Sequence, residues 1–171
     1  NDFSKVDDPS LFSNPLVDRV REMGSIVKPL TLAAGIDAGG ITPKTTYYDK
    51  GYVVANNATI WNHDKKGYGQ IPMQEILNKS LNTGAAFVMS KLGTKKFAHY
   101  MLGYGLGEKT GIDLPNEASD IVGNLLSPRD IEYITASFGQ GIAMTPISTV
   151  RALSVLANGG NLVTPHIVKR I

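Results

Sequence analysis

Gly24-Ser25-Ile26-Val27-Lys28-Pro29-Leu30-Thr31 is the stretch on which the reading of this chain turns. Pro29 lacks a backbone N–H and is tolerated in a helix only within the first turn. It places a helix start near Ser25, and Gly39-Gly40 ends the element. Residues three apart on a helix are surface neighbours, with β-carbons roughly 5–6 Å apart. The Lys28 amine is therefore within reach of the Ser25 hydroxyl. A helix N-terminus adds free N–H groups and a dipole that favour a developing oxyanion. A serine hydroxyl is a weak nucleophile until a base removes its proton. Lysine can be that base only when neutral. From a reference pKa of about 10.4, work near pH 7 needs a fall of roughly 3 pH units, or about 4 kcal/mol. Burial and a nearby cation are the means by which a protein supplies it.

The pattern alone decides nothing. With 11 serines and 12 lysines in 171 residues, chance gives roughly one Ser-x-x-Lys. A cap serine followed by a surface lysine is the plain alternative. Ser80-Leu81-Asn82 is a second candidate, at a junction between two helical patterns where a hydroxyl and an amide can face one cleft. Its plain alternative is a helix end followed by the next helix's cap, a role Asn82-Thr83-Gly84 suits.

Around these motifs the chain reads as one α+β segment, mainly helical, with extended chain near its ends. Residues 1–20 are polar and turn-rich, with Asp8-Pro9-Ser10 and Asn14-Pro15 as breakers. Residues 45–62 carry Thr, Tyr and Val in short runs and read as extended or irregular. Residues 73–81 form a helix with Ile76 and Leu77 on one face, and 85–92 form a second apolar helix. Thr94 is read as the N-cap of a third, which buries Phe97, Tyr100 and Met101. Ser127-Pro128-Arg129-Asp130 and Thr145-Pro146 carry helix-start signals, the latter for 147–158, which Gly159-Gly160 stop. Residues 162–171 read as a strand, with Pro165 at an edge or start. Helices with so little sheet would expose an apolar face. Both ends, Asn1-Asp2-Phe3-Ser4 and His166-Ile167-Val168-Lys169-Arg170-Ile171, read as the middle of a longer chain.

Composition narrows the function classes. Apolar residues make up 42% and charged residues 19%, which suits a packed core. Seventeen basic against 15 acidic residues, net +2, give no case for nucleic acid. Lys65-Lys66 and Lys95-Lys96 read as solvated faces. The absence of cysteine excludes disulfides and thiolate metal sites. His63, His99 and His166 lack metal-ligand spacing and read as ordinary structural histidines. Gly103, Gly105 and Gly107 before Glu108-Lys109-Thr110 have the wrong spacing for a phosphate loop. No cofactor and no metal is expected.

Order and setting change the weight of the two motifs. Ser-x-x-Lys at a helix start, then Ser-x-Asn at a helix junction about 55 residues on, resembles the layout shared by penicillin-binding proteins and serine β-lactamases. The surrounding text resembles class B penicillin-binding proteins. It comprises Thr42-Pro43, Thr45-Thr46-Tyr47-Tyr48-Asp49, Ile76 through Gly84, Lys109-Thr110-Gly111-Ile112-Asp113-Leu114-Pro115, and Ala136-Ser137-Phe138-Gly139-Gln140-Gly141 with Thr145-Pro146. The likeness runs along nearly the whole chain, and the Ala136 to Gly141 text leans toward the division type. It implies a peptidoglycan D,D-transpeptidase that binds D-Ala-D-Ala stem peptides and is acylated by β-lactams. Carried over by position, Ser25 is the nucleophile and Lys28 its base. Ser80 relays a proton, and Asn82 holds the substrate amide and orients Lys28. The Ser25 N–H is half of an oxyanion hole. The family's usual partners, a polytopic membrane glycosyltransferase and other division or elongation proteins, are implied too. So is a place on the extracytoplasmic face of the membrane, held by an N-terminal helix not in this chain.

The sequence departs from the family pattern in three places. The third family motif, Lys-Thr-Gly on a strand, is not expected at Lys109-Thr110-Gly111, which sits among glycines and belongs to a separate family loop. Residues 1–171 are thus read as a partial transpeptidase domain, with most of the sheet missing and inactive alone. Arg21-Glu22-Met23 stands where an aromatic residue, Glu and Pro are usual, a change that would reshape the mouth of the site. Leu81 replaces a small or polar residue, with its side chain expected to point away from the cleft. A non-catalytic scaffold or β-lactam sensor on the same fold is the alternative function, and a β-lactamase is a third.

Overall fold

The computed structural model describes Ser4, Asp8 and residues 13–169. The Pro9-Ser10 breaker and the last two residues of the expected strand lie outside them. The Asn14-Pro15 breaker does form a turn, with the N–H groups of Val17 and Asp18 donating to the Asn14 carbonyl.

The stretch around Ser25 begins as a 3₁₀ turn, Gly24–Val27, and continues as α1, Lys28–Asp37, with Pro29 in its first turn. Helix α1 runs through the core, packing on α3 (Asn82–Leu92), α4 (Thr94–Gly103) and α6 (Pro146–Ser154). Val27, Leu30, Ala34, Val88, Phe97 and Met101 are all buried there. A Cβ on Gly35 would stand 2.5 Å from Val88 Cγ1. The α1–α3 contact is therefore closer than any larger residue allows.

Four short strands form two antiparallel pairs. β1 (Thr46–Asp49) pairs with β4 (Gly69–Pro72), and β2 (Tyr52–Ala55) with β3 (Ala58–Trp61). The β2–β3 turn is Asn56-Asn57, both at positive φ (46° and 64°). Two left-handed residues match the strand twist, and Asn tolerates them best after Gly. The extended reading of 45–62 holds, but β4 was not foreseen. The whole is α+β, mainly helical with short strands, as expected.

Several boundaries move, each for a local reason. Helix α2 is only Gln74–Asn78, and it buries Ile76 while Leu77 is exposed. Neighbouring helical residues lie about 100° apart, so one short helix on one surface buries one of them. Gly93 (φ 75°), not Thr94, is the N-cap of α4, because it also terminates α3 and needs the left-handed region. Of the three side chains expected under α4, Phe97 and Met101 are buried and Tyr100 is half-buried. Helix α5 (Asp130–Ala136) starts two residues later than the Ser-Pro signal. Ser127 Oγ accepts from the Arg129 N–H, and the donor at Ile131 goes to Asn56 Oδ1 at the hairpin tip. Thr145 does cap α6, accepting from the Ser148 N–H. That helix stops at Ser154, short of 158.

No strand forms over 162–169. A strand is defined by its partner, and here side chains take that place. Asp113 accepts from the N–H groups of Ile167 and Val168, and Arg151 Nε donates to the Val163 carbonyl. Leu126, Val150 and Ile167 are among the apolar side chains left exposed.

Candidate active site

Lys28 is 1% exposed, yet it is a lysine. Its Nζ donates to Ser25 Oγ (3.0 Å), Ser80 Oγ (3.0 Å) and the Ser80 carbonyl (2.6 Å). An ammonium has three donors, and all three are used. Burial pushes its pKa down to about 8. Desolvation disfavours the charged amine, and it acts here without help from a second cation. The amine thus sits between two serine hydroxyls, within one proton transfer of either, and near neutrality it is poised between donor and acceptor.

Ser80 reaches Lys28 with both its oxygens because its backbone is left-handed, at φ 55°. That conformation is uncommon for a non-glycine residue and holds only where surroundings over-determine it. On one side Leu81 is driven into the core, 1% exposed, so its side chain points away from the cleft. On the other, Thr83 enters a buried polar cluster. Thr83 Oγ1 lies 2.8 Å from Asp49 Oδ1 and 3.1 Å from Asn62 Oδ1, and the Thr83 N–H also donates to Asn62. Asn62 Nδ2 donates to the Asp49 carboxylate and to the Lys66 carbonyl, and the Gly51 N–H donates to Asp49. Asn82 Nδ2 donates to the Trp61 carbonyl at 2.9 Å. The bonds of Lys28 go to Ser25 and Ser80; the Asn82 side chain is tied to the hairpin instead.

The Asp49–Asn62–Thr83 cluster fixes where the second motif stands, and it predicts an effect. Thr83→Val keeps the shape and removes the hydroxyl, leaving Asp49 and Asn62 short of a buried donor. Unfolding by denaturant is expected to show a loss of about 1–3 kcal/mol. A variant as stable as wild type would show the cluster to be incidental.

Ser25, Ser80 and Asn82 open onto one cavity of about 360 Å³, with Gly24, His63, Lys79, Phe138 and Gln140 completing its lining. A larger cavity, about 500 Å³, lies between α1, α4 and the end of α6. It holds Asp37 and His99 but no serine hydroxyl bonded to an amine, so the smaller cavity is the candidate site. Lys109-Thr110-Gly111 does not line the Ser25 cavity. Glu117 holds it in a loop, accepting from Thr110 N, Thr110 Oγ1 and Gly111 N. Arg21-Glu22-Met23 turns out to brace the wall. Arg21 pairs with Met144 through both backbone groups, and Glu22 Oε1 accepts from the Gly141 N–H. Among the described residues no cluster of three or more metal-ligating side chains occurs.

His63, Asn62 and Asp49 were not singled out as site residues by the sequence. Their placement depends on how β1 and the hairpin fold under α3, which no local pattern encodes.

The model of the penicillin binding protein transpeptidase domain matches residues 1–171. The chain belongs to that family. Stage V sporulation protein D of Bacillus subtilis is 36% identical over 170 residues, spanning 98% of this chain and 26% of that protein. A peptidoglycan D,D-transpeptidase FtsI homolog of Chlorokybus atmophyticus is 30% identical over 94% of this chain and 27% of its own length. The transpeptidase domain of Burkholderia pseudomallei penicillin-binding protein 3 superposes with a TM-score of 0.84 at 28% identity, over 92% of this chain and 47% of that one. This penicillin-binding transpeptidase chain therefore spans about a quarter of the length of the curated relatives it matches. The FtsI likeness is consistent with the lean toward the division type.

Proposed function

We propose that the protein carrying this chain is a peptidoglycan D,D-transpeptidase acting through an acyl-enzyme on Ser25. The observation that carries the reading is the buried Lys28 amine held between Ser25 Oγ and Ser80 Oγ. Neutral Lys28 takes the Ser25 proton as Oγ attacks the penultimate carbonyl of a D-Ala-D-Ala stem, and the Ser25 N–H steadies the oxyanion. The C–N bond breaks as the proton passes through Ser80 to the leaving D-alanine amine. The amine of a second stem then attacks the ester, gives its proton to the same pair, and returns Ser25 to its hydroxyl form. Asn82 offers the substrate its Oδ1, since its Nδ2 already donates to the Trp61 carbonyl. A β-lactam enters the same first step and stays on Ser25.

Residues 1–171 are assigned to part of the transpeptidase domain. The carboxylate-binding Lys-Thr-Gly strand and the second oxyanion donor are assigned to the remainder, since Lys109-Thr110-Gly111 lies off the cavity; the segment alone is then inactive. The usual family partners, a polytopic glycosyltransferase and the division or elongation proteins, fit this reading. So does work on the extracytoplasmic face of the membrane. No helix among the described residues is long and apolar enough to cross a membrane.

The test is labelling of the complete protein by a fluorescent penicillin. Wild type is expected to form a covalent adduct on Ser25, and Ser25→Ala none. A folded wild-type protein that stays unlabelled would favour the non-catalytic scaffold.

A further inference from the structure

His63 is a cavity residue that the Ser25–Lys28–Ser80 chemistry leaves unused. Its position is set with care by its neighbour. Asn62 is 1% exposed, and its side chain is bonded to Asp49, Thr83 and the Lys66 carbonyl. On the other side the Trp61 carbonyl is held by Asn82. The chain from 61 to 62 is thus pinned to the second motif, and His63 is presented at the mouth in fixed relation to Asn82. The imidazole itself is exposed and forms no hydrogen bond or ion pair with another described residue. No bond among the described residues uses it.

The other polar groups around it are already sorted. Lys79 lines the same cavity, but its ammonium is 3.4 Å from the Glu75 carboxylate and 5.0 Å over the Tyr68 ring. Gln140, exposed on the wall formed by 138–140, has a carboxamide with no side-chain partner among the described residues. Beyond the Ser25 and Ser80 hydroxyls and the Asn82 carboxamide, the polar side chains lining the cavity without a side-chain partner among the described residues are an imidazole and a carboxamide. Each offers a donor and an acceptor, and neither is a fixed charge. A backbone amide, with its N–H and C=O side by side, is the ligand chemistry such groups match.

We propose that His63 is a specificity-determining residue that hydrogen-bonds a backbone amide of a stem peptide in the Ser25 cavity, whose lining it shares with Gln140. The proposal rests on the transpeptidase reading above. Donor and acceptor stems carry the same amides, so the experiment has an arm for each.

The complete protein is compared with its His63→Ala and His63→Gln variants. First, the rate of acylation by 6-aminopenicillanic acid is measured, a β-lactam with no side-chain amide. Then KM and kcat are measured for a D-Ala-D-Ala stem pentapeptide donor and, separately, for an acceptor stem. His63→Ala is expected to raise KM for one of the two peptides about tenfold. That change should exceed the change in kcat and the change in acylation by the small lactam. His63→Gln, which keeps a donor and an acceptor, should restore most of the loss. A rise in donor KM assigns the amide to the donor stem, and a rise in acceptor KM assigns it to the acceptor. KM values for both peptides within twofold of wild type would overturn the proposal, as would an equal loss with the small lactam. A wild-type protein that forms no acyl-enzyme would instead overturn the transpeptidase reading, and this proposal with it.

Discussion

Lys28→Met and Lys28→Arg in the complete protein are both expected to slow acylation of Ser25 by a β-lactam about a thousandfold. Methionine removes the amine. Arginine keeps the charge but cannot release a proton in the working range. Equal losses would mean that the lost element is a base and not a cation. The wild-type rate should rise about tenfold per pH unit below about 8, where burial has brought the Lys28 pKa, and level off above it. Stopped-flow acylation between pH 5.5 and 9.5 reads this directly. A flat profile across 8, or an active arginine variant, would remove Lys28 from the role of base. The same depression has a stability consequence. An unfolded lysine stays protonated to about 10.5, whereas the folded one loses its proton near 8. Between those values the unfolded chain binds more protons, so stability rises with pH across that window. Below it, burial of the ammonium costs about 3 kcal/mol. Lys28→Met is expected to remove this rise, which denaturation at pH 7.5 and 9 would show.

What the sequence made legible follows from how local each interaction is. Ser25, Lys28 and Pro29 sit within one helical turn, so spacing alone brought the hydroxyl and amine together. Ser80 is 52 residues from Lys28. It became readable only through the order of the motifs and the family text around them, because no periodicity reports a left-handed serine. Asp49, Asn62 and His63 were silent as site residues. Their roles arise when a hairpin of two four-residue strands turns on Asn56-Asn57 and lays its end under α3, and that register is a tertiary outcome. Thr94 and Ser127 failed as caps for the same reason. Gly93 was already shaped by the helix before it, and α5 donates its Ile131 N–H to Asn56 Oδ1, 75 residues away. The expected strand at 162–169 has the right residue types, but Asp113 and Arg151 hold its backbone.

Gly139 shows the same lesson at atomic scale, and it carries the second large prediction. The segment after α5 packs backbone to backbone on the nucleophile turn. The Gly24 N–H donates to the Gly139 carbonyl at 3.0 Å, and Thr31 Oγ1 donates to the Ser137 carbonyl at 2.7 Å. Gly139 has φ 78°, and a Cβ placed on it would lie 2.1 Å from the Gly24 carbonyl oxygen and 2.7 Å from its nitrogen. Neither neighbour is a flexible side-chain end; both are backbone of the turn that carries Ser25. Gly139→Ala therefore meets left-handed strain of about 1–2 kcal/mol and overpacking of about 1–3 kcal/mol. Relief can come only from moving Gly24. Such a shift pulls Ser25 Oγ off Lys28, and misplacement by about 1 Å is enough to cost on the order of a hundredfold in rate. Penicillin acylation of the Gly139→Ala protein is expected to fall at least that far. Gly39→Ala is the matched comparison, because Gly39 has φ 70° but nothing within 4 Å of its would-be Cβ. It bears the strain without the collision, so it should melt slightly lower and acylate at close to the wild-type rate. If Gly139→Ala acylated as fast as Gly39→Ala, the backbone contact would not be what holds the nucleophile in register with its base.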